Sequence, residues 1–170
     1  MKTFQQFIDD IPELDESSMS RIKAQSDKGG TAVMSASRGN LSAKENRARA
    51  KKLDRTIRSK FGKGATKVTG KYDEKDEKTG QTKRVKERSH VIQQGKMGKR
   101  KFKKAVKSLG RKYGQDSVIT QQKGSKDATL KRTRKGSMSK QNVKLGKMRP
   151  GRSGENETQK KGKTFTYDTK

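Results

Sequence analysis

The sequence has 170 residues, of which 25% are hydrophobic and 38% are charged, so it can supply one small core and not a large one. Its 46 Lys and Arg against 18 Asp and Glu give a formal net charge of +28, which would repel a compact body unless a polyanion neutralised it. The absence of cysteine excludes disulfides, and the single histidine excludes a Cys/His zinc site. No apolar run reaches the roughly 20 residues that span a bilayer. We therefore expect no membrane partner, no metal and no cofactor.

Residues 1–16 form an acidic leader. Five acidic side chains stand there against Lys2, and apolar residues recur at the helical spacing of Phe4, Phe7, Ile8 and Ile11. The pattern predicts a short amphipathic helix that Pro12 ends.

The leader also carries a motif, which consists of Met1, Lys2, Thr3, Phe4, Gln5, Phe7 and Ile8. It resembles the capsid-targeting sequence of the internal head proteins of T-even-like phages. The resemblance implies entry into the prohead and cleavage by the prohead protease between Glu16 and Ser17. It also implies a protein of the capsid interior that is packaged with DNA, is delivered into the host cytoplasm and meets a host protein there. The stretch Leu109–Ile119 is loosely similar to small proteins of marine T-even-like phages, which implies no activity.

The next two segments differ sharply in pattern. Residues 17–41 mix Ser, Gly and basic residues without periodicity, which is typical of a flexible linker. Ser42 and Glu45 then form a capping box, which predicts a basic amphipathic helix over residues 42–61 with Gly62 at its end.

Residues 62–133 have the pattern of a small folded domain. Strands are predicted at 65–73 and 83–93, then a helix at 99–113, then strands at 116–122 and 128–133. The helix places Phe102, Val106, Leu109 and Tyr113 on one side, where we expect them to be buried together.

The predicted fold class is therefore α+β: a small antiparallel sheet with one packed helix, preceded by an amphipathic helix and flanked by largely disordered basic segments. Residues 134–170 are predicted to form a basic, Gly-rich tail with only weak strands at 143–148 and 164–167.

The positive charge predicts a nucleic-acid partner. Because aromatic residues are few, we expect contacts with the phosphate backbone of DNA, with low sequence specificity, rather than base stacking. The candidate binding residues lie on the basic helix and beside the glycines at the predicted element ends: Arg47, Lys51, Arg55, Arg58, Lys63, Lys71, Lys96, Lys99, Arg100 and Lys147.

Catalytic signals are weak. Gly162-Lys163-Thr164 ends like a P-loop but has Glu157 where the first glycine belongs, and the lone His90 is expected to be structural. The acidic run at residues 73–78 suggests either a metal-dependent nuclease or a solvated turn. We therefore expect a packaged, DNA-bound internal head protein that is not an enzyme. The alternatives are an injected nuclease or modifying enzyme, and a component of the prohead core.

Overall fold

The computed structural model describes residues 18–76, 78–133, 142–152, 156–160 and 163–167, in which the chain forms three helices and eight strands. The helices are α1 (Ser18–Gly29), α2 (Ala43–Phe61) and α3 (Lys99–Lys112). The strands are β1 (Thr31–Ser35), β2 (Thr66–Lys75), β3 (Thr82–Gln93), β4 (Ser117–Gln121), β5 (Asp127–Arg132), β6 (Val143–Pro150), β7 (Asn156–Lys160) and β8 (Lys163–Tyr167). None of the helices in these ranges is long and apolar enough to cross a membrane.

The eight strands close into one antiparallel barrel in the order β1-β3-β2-β7-β8-β6-β5-β4. Five of them, in the order β2-β3-β1-β4-β5, lie in a continuous sheet, and β6, β8 and β7 connect its two edges. The predicted α+β fold is therefore wrong, because the sheet has no free edge and is closed by strands that the sequence did not indicate clearly.

Strand β1 explains part of the error. All five of its residues are buried, because β1 pairs with β3 on one side and β4 on the other, and is covered on both faces. Val33 contributes to the barrel interior, whereas Ala32 and Met34 belong to the cluster under the helices. A strand buried on both faces lacks polar alternation, so no period-2 pattern indicates β1. The linker predicted for residues 17–41 is therefore wrong over Ser18–Gly29, which forms α1, and over Thr31–Ser35, which forms β1.

Helices α2 and α3 lie antiparallel on the outer surface of the barrel. The rings of Phe61, at the end of α2, and Phe102, near the start of α3, pack edge to face with centroids 5.6 Å apart. Farther back along α2, the Thr56 hydroxyl lies 3.3 Å from that of Tyr113, which follows the last residue of α3. The four residues predicted to be buried on α3 are all part of this core.

The ends of α2 confirm the capping prediction. Ser42 accepts from the Glu45 N–H while the Glu45 carboxylate accepts from the Ser42 N–H. Gly62 ends the helix in the left-handed region at φ +70°, where a side chain would be strained. Both signals are local, so the sequence is sufficient to place them.

A second cluster fills one end of the barrel. Ile22 of α1 packs there against inward-facing residues of five strands: Val33, Val68, Val91, Met148 and Phe165. α1 thus covers the barrel end at which β1 begins and β3 finishes.

The predicted hairpin and the predicted strand pair around Gly124 are confirmed as β2–β3 and β4–β5. The prediction that the basic tail is largely disordered is wrong, because β6, β7 and β8 complete the barrel. The leader, including the helix, the seven motif residues and the Glu16–Ser17 cleavage site, lies outside the described residues.

Candidate active site

The barrel interior contains a cavity of about 300 Å³ toward the Ser35 end of β1, beyond the cluster that α1 covers. Part of its wall is apolar and comes from Val33, Met34, Val118, Ile119 and Leu130. The rest is polar or aromatic, and includes Ser35, Tyr72, Glu87, Ser89, Ser117 and Tyr167. Small-molecule sites are of this kind: mostly apolar cavities of roughly 300–1,000 Å³ with a few polar groups that fix the ligand.

Gly70 on β2 keeps part of this cavity open. It pairs with Glu87 across the β2–β3 ladder. A Cβ at residue 70 would lie 3.2 Å from the Ser89 Oγ and 3.6 Å from the Glu87 Cγ. The side chains of Glu87 and Ser89 therefore extend over the glycine on the inner face, and its missing side chain leaves space beside the carboxylate.

A second cavity adjoins the first. It has a volume of about 520 Å³ and lies between the first half of α2 and strand β3, with Arg38 and Arg47 among its lining residues. Tyr72 and Glu87 line both cavities. An acidic and an aromatic side chain thus lie where the barrel interior meets the surface groove.

A second carboxylate at the cavity edge is held by two cations. Glu157 is buried, and its Oε1 lies 3.3 Å from the Lys71 Nζ and 3.4 Å from an Arg84 Nη. Arg84 also donates to Asp73 at 2.9 Å, and this hydrogen bond is the main cause of its raised pKa. The network joins β7 to β2 and β3, so its contribution is to hold the cavity wall in place.

Tyr167 on β8 completes the lining. Its ring packs edge to face on Phe165, with centroids 5.7 Å apart. Burial raises the pKa of the Tyr167 phenol well above its usual value, so the group stays neutral. A neutral phenol can donate a hydrogen bond while its ring faces an organic cation.

The predicted nucleic-acid residues lie on several elements of the fold. Arg47, Lys51 and Arg55 are exposed on α2, whereas Lys96, Lys99 and Arg100 are exposed around the start of α3. Others make local contacts: Arg58 with Asp54 at 3.7 Å, Lys63 with Gln93 at 3.2 Å, and Lys71 with Glu157. Lys147 is exposed on β6. Whether any of them binds nucleic acid stays a prediction.

The weak catalytic signals have structural explanations in the described part of the chain. Asp76 accepts from the N–H groups of Lys78 and Thr79, so it shapes the β2–β3 turn. No group of three or more potential metal ligands occurs among the described residues, which leaves the nuclease hypothesis without a site there. Lys163 and Thr164 lie in strand β8, whereas a P-loop lysine opens a helix.

The cavity is suited to a small organic cation, since it combines apolar walls, aromatic rings and a carboxylate. A partly open cavity of this kind in a barrel is typical of small-molecule-binding proteins. The comparison with protein families agrees: the model of the S-adenosylmethionine lyase family matches residues 32–170. The chain belongs to this family. The comparison with curated proteins gave no match.

The family corrects the conclusions drawn from the leader. Assignment to the phage internal head proteins is wrong, as are the packaging function and the expectation that the protein is not an enzyme. The leader motif covers about a tenth of the chain, and the family match begins after it. Of the alternatives, an enzyme agrees best with the match.

Sequence reasoning did not predict the acidic and aromatic residues of the cavity, and it assigned Lys71, which also lines the cavity, to nucleic-acid binding. Tyr72, Glu87 and Tyr167 stand far apart in the chain, and none forms a motif with its neighbours. One signal was available: Gly70 and Tyr72 alternate along β2 as Glu87 and Ser89 do along β3, so the inner face of the predicted hairpin is partly polar.

Proposed function

We propose that this protein cleaves the sulfonium centre of S-adenosylmethionine, with the barrel cavity and its junction with the groove as the active site. The observation that carries the proposal is the position of Glu87 and Tyr72, which line both cavities. A sulfonium is a soft cation, and a carboxylate beside an aromatic ring is suited to hold one. The family name supplies the substrate and the reaction class.

A lyase breaks a bond without water or electron transfer, and S-adenosylmethionine offers two such routes. In the first, the substrate's own carboxylate displaces the thioether from Cγ: the new C–O bond forms, the C–S electron pair passes to sulfur, and a lactone and neutral methylthioadenosine result. In the second, a base removes a Cβ proton, and an unsaturated amino acid forms with the same methylthioadenosine. Both routes convert a charged sulfonium into a neutral thioether.

The cavity walls favour the displacement route. A carboxylate and a sulfonium both lose charge in that step, so apolar walls beside them favour the transition state over the solvated ground state. Val33, Ile119 and Leu130 supply such walls. In this route Glu87 binds and orients the substrate, whereas in the elimination route it would be the general base.

The barrel wall covers part of the cavity and so limits the access of water, which would otherwise compete with the internal nucleophile. The hydroxyls of Ser35, Ser89 and Ser117 line the same space and can hydrogen-bond a ribose or a carboxylate. Arg38 and Arg47 line the groove, where they can pair with the substrate carboxylate. We propose the cytoplasm as the place of action, because the substrate is made and used there.

The test is to incubate the purified protein with S-adenosylmethionine and to identify the products by mass spectrometry. We expect methylthioadenosine together with the lactone. Glu87→Gln should raise KM at least about tenfold, since one charge contact of about 1.4 kcal/mol corresponds to that factor. If Glu87 is instead a general base, kcat should fall by about 10²–10⁴ and the unsaturated amino acid should be the product.

The matched control is Glu45→Gln. It makes the same chemical change on an exposed residue, and glutamine also serves in a capping box, so the fold should be preserved. Its kinetics should equal those of the original protein. Absence of methylthioadenosine would refute the proposed reaction, and unchanged kinetics in Glu87→Gln would refute the proposed site.

A further inference from the structure

The two helices on the barrel surface carry far more positive charge than the proposed reaction needs. Together α2 and α3 contain sixteen basic and two acidic residues, and α3 alone contains eight basic and none that is acidic. The proposed substrate is itself a cation, so a positive surface repels it and slows its arrival. The charge must therefore be explained by something other than the substrate.

Two of these cations converge with a third on the barrel itself. Lys103 and Lys107 are one helical turn apart on α3, and Lys131 lies on the adjacent strand β5. α3 reaches this part of the barrel through Gly110, where a Cβ would lie 2.6 Å from the Thr133 Cγ2, just beyond β5. The pKa of Lys131 is lowered by burial and by the positive charges of Lys103 and Lys107. In the described part of the chain, no acidic side chain forms an ion pair with any of the three.

The cations on α2 more often have partners within the fold. Arg58 pairs with Asp54, and the Arg49 guanidinium donates to two backbone carbonyls. α3 has no such ion pair among the described residues. A cluster of like charges that has no ion-pair partner among the described residues favours an external anion.

We propose that the surface formed by Lys103, Lys107 and Lys131 binds the phosphate backbone of a nucleic-acid duplex, without reading its sequence. Lysine is a mobile point charge that suits phosphate contacts. It lacks the rigid guanidinium fork with which arginine recognises a base edge. The phosphates would supply the negative charge that this surface lacks. The proposal does not depend on the lyase reaction.

A duplex is favoured over the other polyanions. The apolar side of α3 is buried in the core through Phe102, Val106 and Leu109, so the helix cannot insert it into an anionic membrane. Single strands are held by base stacking on aromatic rings. Among the large hydrophobic side chains of the described residues, Val143 is exposed and no aromatic side chain is.

The experiment measures affinity for a mixed-sequence DNA duplex of about 20 base pairs as a function of salt concentration. Each phosphate contact contributes a slope of about −0.9 in log K against log salt. Replacing all three lysines by glutamine should make the slope shallower by about 2.7, so between about 50 and 200 mM salt the original protein should lose about 40-fold more affinity than the variant. Cleavage of S-adenosylmethionine by the variant should be unchanged, which separates this proposal from the previous one.

The matched control replaces Lys78, Lys83 and Lys86, three exposed lysines of the β2–β3 hairpin, so it removes the same net charge elsewhere. Its slope should stay close to that of the original protein, and thermal melts should show both variants folded. An equal change of slope in the two variants would mean diffuse attraction and would overturn the assignment to this surface. So would tighter binding of the original protein to phosphatidylserine vesicles than to the duplex.

Discussion

His90 is a buried base without a partner, and its protonation should weaken the fold. It is the only histidine of the chain, is fully buried on the outer face of β3, and neither of its ring nitrogens has a hydrogen bond within the described structure. Burial lowers its pKa to about 4; the nearby Asp54 opposes this shift, and Lys67 and Arg88 add to it. The imidazole is therefore neutral in the folded protein at neutral pH.

The direction of the pH effect follows from comparing the two states. In the unfolded chain the pKa should be near 6.5, so acid protonates the unfolded state first and pulls the equilibrium toward it. The neutral imidazole makes its full contribution to the free energy of unfolding above about pH 6.5. That contribution decreases as the pH drops below this value and is lost near pH 4. With a folded pKa of about 4, the free energy of unfolding should fall by about 2 kcal/mol between pH 7 and pH 5.

The assay is urea unfolding at pH 7 and pH 5, for the original protein and for His90→Leu. Leucine fills a similar volume and cannot be protonated, so the variant should lack the 2 kcal/mol decrease, while carboxylates that titrate in the same range affect both proteins alike. Because the chain has one histidine, its Cε1–H signal in an NMR titration is unambiguous and reports the folded pKa directly. A midpoint near 6.5, or parallel pH dependences in the two proteins, would refute the reasoning.

Three further substitutions test the packing, each by urea unfolding at neutral pH. Gly110→Ala should cost about 1–3 kcal/mol, because the new Cβ would lie 2.6 Å from a Thr133 methyl group, whereas Gly29→Ala, with open space around residue 29, should cost nothing; equal effects would contradict the close approach. Leu53→Ala should cost about 2–5 kcal/mol, since Leu53 is fully buried between α2 and the barrel, and a loss below 1 kcal/mol would place it outside the core. Arg49→Lys should cost about 1–3 kcal/mol, because the guanidinium donates to the carbonyls that follow β1 and α3, and lysine cannot reproduce both contacts.

Local signals predicted local structure well. The capping box of Ser42 and Glu45, the apolar stripe of α3 and the β2–β3 hairpin all depend on residues close together in sequence, and each was placed within one or two residues. Barrel closure depends on pairings between distant segments, such as β2 with β7, and no local pattern encodes these. The closing strands also carry a weak apolar signal: β6 and β8 each bury one large apolar side chain, Met148 and Phe165, and β7 contains none.

The candidate site could not be predicted for a related reason. The cavity exists only after the barrel has closed, when β8 brings Tyr167 to the same space as Glu87. Charge, in contrast, can be counted in any sequence, and here it favoured a nucleic-acid partner over a catalytic function. The net charge of +28 remains informative about binding, but it does not argue against an enzyme.

The order in which the strands close has a consequence for synthesis on the ribosome. The first five strands make a sheet whose edges, β2 and β5, both lack a neighbour until the C-terminal strands emerge. During that interval the nascent sheet is a template for other chains, and its cavity is not yet enclosed. The many lysines on its surface keep such intermediates apart by repulsion. The same charge thus protects an incomplete barrel from aggregation while its last strands are being made.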